Sequence, residues 1–247
     1  MSRYFLEVFY KGTNYAGFQI QRNANSIQAE VEKALQIFFK VPFALTGSSR
    51  TDAGVHALSN FFHFDSEALS DHTLEELGKA IYNLNAILPD DIVVSSIRHV
   101  ADLAHCRFDA HSREYKYYIY QSKDPFQADR AYYYPYTLDV DVLQKVAMLI
   151  QSHNDFTSFS KRNTQVTSFN CTILKSEWRW EQNVLVYNIQ ANRFLRGMVR
   201  GLVGTMLKVG RGKTSVDEFR NILLGRDCTQ ADFSVPAQGL FLVNVQY

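Results

Sequence analysis

A carboxylate that attacks or deprotonates a substrate must stay ionised and must be held in place. One stretch of this chain has residues suited to both: Gly47-Ser48-Ser49-Arg50-Thr51-Asp52-Ala53-Gly54-Val55-His56-Ala57. Arg50, two positions before Asp52, can neutralise and orient the carboxylate and keep it ionised, as a nucleophilic aspartate requires. Glycines, serines and a threonine surround the pair, which is the composition of a turn. The competing reading is an aspartate that caps its own turn. Local composition leaves both open.

Two further stretches carry chemistry. Residues 193–213 hold Arg193, Arg196, Arg200, Lys208, Arg211 and Lys213 with no acidic residue among them. Such a block can neutralise several phosphates, although a solvated helix face balanced by carboxylates elsewhere has the same composition. Arg196 and Arg200, four apart, would share one face of a helix. The other stretch is Arg113-Glu114-Tyr115-Lys116-Tyr117-Tyr118-Ile119-Tyr120. Its alternation sends Tyr115, Tyr117 and Ile119 to one side of a strand. Aromatic strand faces stack bases in RNA-recognition domains, but the glycines of that fingerprint are absent, and packing accounts for most of these tyrosines.

Other chemistries fail on spacing. Gly212-Lys213-Thr214 ends like a phosphate-binding loop, but Leu207 stands where the earlier glycine is required. Ser49, Asp52 and His56 lack the elbow of a hydrolase. His105-Cys106 and the other histidines show no paired metal-ligand spacing, so no metal is expected.

The elements that must position these residues follow from periodicity. Arg3–Tyr10 is predicted as a strand closed by a turn at Lys11-Gly12-Thr13-Asn14. Asn25 or Ser26 caps a helix with Ile27, Val31, Ala34, Leu35 and Phe38 at helical spacing. Strands are predicted at Phe43–Thr46 and Ala57–Phe64, flanking the Asp52 turn. A helix follows Asp71-His72-Thr73 with a stripe of Leu74, Leu77, Ile81 and Leu84, and Ile92–Ile97 is a strand. The second half repeats the order. Glu114–Tyr120 is a strand, and Val142–Ile150 a helix with Val142, Val146 and Leu149 in one stripe. A hairpin turns on Glu181-Gln182-Asn183, helices cover Arg193–Val209 and Val216–Leu224, and a last strand runs over Leu240–Val245. The fold class is α+β: two βαββαβ-type halves, each with helices on one face of an antiparallel sheet and the other faces free to form a cleft. The domain boundary is expected at 105/106, with 1–105 carrying the Asp52 loop and 106–247 the tyrosine strand and basic helix.

The chain is long enough for one large core or two smaller ones. Its net charge of +1 announces no polyanion partner by itself. Apolar runs fall well short of a membrane span, and the first residues lead directly into a strand pattern. Three dispersed cysteines, Cys106, Cys171 and Cys228, read as reduced thiols. A cytoplasmic location is expected, with no membrane partner.

Arg-Thr-Asp-Ala-Gly-Val-His at 50–56 resembles the catalytic loop of the tRNA pseudouridine synthase A family. So do Tyr15–Gln21 with Ser26-Ile27-Gln28, Arg113-x-Tyr115, Phe156–Phe159, Asn192–Gly204 and Gly239–Leu242. Phe18 stands where that family usually has tryptophan. Residues 165–173 depart from its pattern, which bears on tRNA contacts rather than on the chemistry. The resemblance implies two related domains with merged sheets around a cleft. It also implies cofactor-free isomerisation of uridine to pseudouridine at positions 38–40 of the tRNA anticodon stem-loop, by a homodimer. In site terms it implies Asp52, Tyr115 and Arg200 as catalytic residues, with Arg50, Tyr115, Arg196 and Leu240 binding substrate. Arg200 pairs with Asp52 in this reading, and Arg196 is available for phosphate. A non-catalytic RNA-binding protein using the same cleft and basic helix is the alternative, and it would not need Asp52.

Overall fold

The computed structural model describes residues 2–69, 72–162 and 166–247. Asp71, read as part of a helix start, and Gln165, read as the first residue of the divergent segment, lie outside the described residues. The chain divides into two compact units, Met1–His111 with Leu242–Tyr247, and Ser112–Phe241.

The first unit runs β1 (Ser2–Tyr10), α1 (Ile27–Phe39), β2 (Thr46–Gly47), β3 (His56–Ser66), α2 (Leu74–Ile87) and β4 (Ile92–Val100), the βαββαβ order expected. β1 lies between two antiparallel partners, with Tyr4 opposite Phe64 of β3 and Leu6 opposite Ile97 of β4. Tyr4, Leu6, Val8 and Tyr10 of β1 are buried at alternate positions. α1 begins where the Ser26 hydroxyl accepts the Ala29 N–H, and it buries Ile27, Val31, Ala34 and Leu35. α2 begins with a reciprocal cap between Thr73 and Glu76. Its buried residues are Leu77, Ala80 and Leu84, whereas Leu74, at its first position, is exposed. The strand expected at 43–46 is shorter. Only Thr46 and Gly47 pair with β3, opposite His63 and Phe62, while Phe43 and Leu45 are buried by packing.

The second unit holds β5 (Ser112–Tyr120), β6 (Tyr132–Tyr133), α3 (Val140–Gln151), β7 (Ile173–Glu181), β8 (Val184–Ala191), α4 (Met198–Gly210) and α5 (Val216–Leu224). β5 and β7 both pair antiparallel with β8. The hairpin turns where expected, with Gln182 at φ 55°. α3 buries Leu143, Val146, Ala147 and Ile150, a stripe rotated from the one expected. A final strand, β9 (Leu240–Gln246), begins in the second unit and continues into the first, whose sheet order is β4-β1-β3-β9. The class is α+β.

The helix expected from Arg193 begins five residues later, at Met198. Gly197 adopts φ +74°, which breaks helical geometry, and the Arg196 carbonyl accepts the Lys161 N–H rather than an intrahelical one. Arg196 therefore lies before the helix and does not share a helical face with Arg200. α4 itself is nearly enclosed, and two of its glycines make room for the chain at 232–233. A Cβ on Gly204 would stand 2.2 Å from the Asp232 carbonyl oxygen, and one on Gly201 2.7 Å from the Phe233 ring. Gly204→Ala is accordingly expected to destabilise the unit by about 1–3 kcal/mol through overpacking, read as a lowered Tm. An unchanged Tm would contradict this close approach.

Candidate active site

The Asp52 loop is held by its neighbours. Thr51 is fixed twice, its carbonyl accepting from the Phe18 N–H at 3.1 Å and its hydroxyl bonding the Tyr10 hydroxyl at 2.8 Å. The Asp52 carbonyl accepts the Val55 N–H at 3.2 Å, closing a turn in which Gly54 takes φ +78°. Upstream, the Ser48 N–H donates to the Phe61 carbonyl, and Ser49 is bonded at both backbone groups by the Asn60 amide. The self-capping reading of Asp52 fails. Among the described residues of its unit the carboxylate makes no side-chain hydrogen bond, and ion pairs there join other residues, Arg3 to Asp65 and Lys79 to Glu75. Asp52 is half-buried. Its backbone is fixed, and its carboxylate is left to other partners.

Arg50 does not pair with Asp52 within the loop. It is exposed and lines a cavity of about 310 Å³ in the first unit, together with Phe18, Leu45, Gly47, Arg107 and Phe108. Phe18 is almost fully buried. It stacks on Phe62 at 4.5 Å and lies so close to Gly47 that a Cβ there would meet its ring at 2.4 Å. An aromatic ring in the early loop thus supports the turn that carries Asp52.

In the second unit the tyrosine strand separates into two roles. Tyr117 is fully buried; burial pushes its phenol well above the ordinary range, and its hydroxyl donates to the Pro236 carbonyl at 2.7 Å. Tyr115 is half-buried, with its ring edge-on to Phe194 at 5.0 Å. Arg200 Nε donates to the Val235 carbonyl at 2.9 Å, next to the Pro236 carbonyl that Tyr117 binds. The segment leading to Leu240 is therefore tied down at consecutive residues. Gly239 then passes over the Tyr117 ring, where a Cβ would stand 2.7 Å away, and delivers Leu240, which is buried. The side chains of the basic stretch differ in availability. Lys208 pairs with Asp232 at 3.0 Å, and the Arg211 guanidinium lies 3.6 Å over the Tyr136 ring, while Arg196 is exposed. Burial works to raise the Asp232 pKa, but hydrogen bonds from Ser234 and Lys208 bring it below the usual range.

One grouping lies beyond what spacing along the chain can show. His63 comes from β3 to meet His105 and Cys106, their ligand-type atoms all within 4.8 Å. Burial and the nearby His105 and Arg3 lower the His63 pKa to about 4, so its ring is neutral at pH 7. Its Nδ1 is 3.1 Å from Cys106 Sγ, and the thiol also reaches the Thr46 carbonyl at 3.2 Å. His105 Nδ1 accepts the Arg107 N–H at 3.1 Å, which occupies that lone pair. A hydrogen bond joins His63 to Cys106, and the His105 ring lies edge-on to His63 at 4.5 Å.

Sequence reading missed Tyr10 and Asn60, whose side chains hold the loop. A signal for Asn60 was present: an asparagine amid the aromatic residues of a strand is unusual and asks for a specific partner.

The pattern described as tRNA pseudouridine synthase matches residues 8–109 and 149–247, spanning the Asp52 loop and the Arg200 helix. The chain belongs to the tRNA pseudouridine synthase family. A relative from Parabacteroides distasonis, named tRNA pseudouridine synthase A, is 44% identical over 100% of this chain and 96% of its own length. One of the same name from Bacteroides fragilis is 44% identical over 100% and 97%, and one from Staphylococcus aureus 36% identical over 98% and 90%. Membership makes the chain an isomerase that converts uridine to pseudouridine.

Proposed function

We propose that this synthase isomerises uridine to pseudouridine at positions 38–40 of the tRNA anticodon stem-loop, as a cytoplasmic homodimer with each tRNA spanning both subunits and without a cofactor. The observation that carries the reading is the Asp52 loop, whose backbone is pinned by Thr51 and Val55 while its carboxylate stays uncommitted.

The reaction breaks the N1–C1′ bond, turns the freed uracil, and forms a C5–C1′ bond. The C5 proton leaves and N1 gains one, so atoms balance and no redox partner is needed. A uridine within a stem must first leave the stack, at a cost of a few kcal/mol that backbone contacts supply. Asp52 acts at the ribose, by addition to C1′ or by removal of the C2′ proton, and both routes need it ionised. Arg200 is the cation that keeps it so. Tyr115 stacks on the base and helps take the C5 proton. Leu240 packs against the base, Arg50 contacts the RNA beside the loop, and Arg196 meets a phosphate.

The basic stretch gives a graded test. Affinity for tRNA is expected to fall steeply with salt, and Arg193→Gln or Arg196→Gln to flatten the log–log slope by about one unit each. Lys208→Gln changes the slope less, because Asp232 already neutralises that charge. Titrations across salt concentrations read this directly, and equal slopes for all three variants would contradict it. The activity itself is tested by incubating the protein with tRNA tritiated at uridine C5 and measuring tritium release. Pseudouridine formation expels that hydrogen; release at background level would overturn the reading.

A further inference from the structure

We propose that Tyr10, Thr51 and Asn60 form the positioning device for Asp52, acting through a continuous side-chain hydrogen-bond chain that sets where the carboxylate stands. The inference rests on the catalytic reading of Asp52 given above.

The chain starts at Asn60, which is fully buried on β3. Every polar capacity of its amide is engaged. Oδ1 accepts the Ser49 N–H at 3.2 Å and the Phe61 N–H at 2.9 Å, while Nδ2 donates to the Ser49 carbonyl at 2.8 Å and to the Tyr10 hydroxyl at 3.1 Å. The Tyr10 hydroxyl then bonds Thr51 Oγ1 at 2.8 Å. Residues three and one before Asp52 are thus tied, through side chains, to the two central strands β3 and β1. From below, Gly17 at φ +119° lets the early loop approach until a Cβ would stand 3.1 Å from the Thr51 carbonyl oxygen. Side chains from the strands thus add to the turn's own Val55-to-Asp52 backbone bond in fixing it.

The economy of the turn favours positioning over mere stabilisation. A Gly/Ser/Thr/Asp turn ordinarily stabilises itself by turning its aspartate onto its own backbone. Here that role is taken over by side chains from elsewhere, and the Asp52 carboxylate is spared. Buried polar networks of this kind are costly when incomplete, so losing one hydroxyl should shift the turn rather than leave it unchanged. Displacements near 1 Å at a reacting group cost on the order of a hundredfold in rate.

The test uses the full chain with Tyr10→Phe, which keeps the ring packing, Thr51→Val, which replaces the hydroxyl by a methyl of equal size, and Thr51→Ser, which restores it. Single-turnover rate at saturating enzyme, tRNA Kd and Tm are measured on each, with rates expressed per folded molecule. The expected result is a rate lowered by about tenfold or more in Tyr10→Phe and Thr51→Val, Kd within about twofold of wild type, and substantial recovery in Thr51→Ser. A rate per folded molecule that stays at the wild-type value, whether or not Tm falls, would overturn the inference, as would a loss confined to Kd. Asp52→Asn in the same assay separates the two claims. If it remains active, the catalytic reading fails; if it is dead while Tyr10→Phe and Thr51→Val match wild type, only the positioning inference fails.

Discussion

Asp52→Asn is expected to abolish pseudouridine formation while tRNA affinity stays within about twofold of wild type, since the change removes one charge from a surface whose binding is dominated by phosphate contacts. The substitution is nearly isosteric. The turn should survive it, because Thr51, Val55 and the Asn60 amide hold the backbone and none of these bonds uses the Asp52 carboxylate. What disappears is the only group of the loop that can act as an anionic nucleophile or base. A folded, tRNA-binding variant that turns over near the normal rate would remove Asp52 from the chemistry.

Tyr115→Phe should slow the chemical step by roughly a hundredfold, the usual worth of one positioned proton-transfer group, with stability and affinity close to wild type. The ring stays to stack on the base, and its edge contact with Phe194 is preserved. Tyr115→Leu should lose the stacking surface as well. The neighbouring strand position supplies the control. The Tyr117 hydroxyl is committed to the Pro236 carbonyl inside the core, so Tyr117→Phe should lower Tm by leaving that carbonyl short of a partner, with rate per folded molecule unchanged. If Tyr115→Phe behaves like Tyr117→Phe, its hydroxyl has no chemical role.

The contrast between these tyrosines shows what the sequence made legible. Alternation put Tyr115 and Tyr117 on one side of β5, and the strand is there; periodicity alone gave no means of telling the half-buried ring from the enclosed one. The order of β1, α1, β2, β3, α2 and β4 was readable because caps at Ser26 and Thr73 and the buried stripe of α1 carry local signals. The start of α4 was not. Arg193–Gly197 has the composition of a helix, and a contact with Lys161, distant in sequence, overrides it together with the positive φ of Gly197. Within the site, Asp52 and its turn were visible as local composition. The support from Tyr10, Phe18 and Asn60 arises from strand pairing and loop packing across 40 or so residues, which no local window contains. The spacing rule that spoke against metal ligands has the same limit, since His63 meets His105 and Cys106 only through the fold.

The most direct test of the account is position-resolved mapping of pseudouridine in tRNA lacking the modification, after incubation with the wild-type chain and with Asp52→Asn in parallel. The account predicts new pseudouridine at one or more of positions 38–40 with the wild-type chain and none with the variant. Pseudouridine confined to other positions, or the same product from Asp52→Asn, would contradict it.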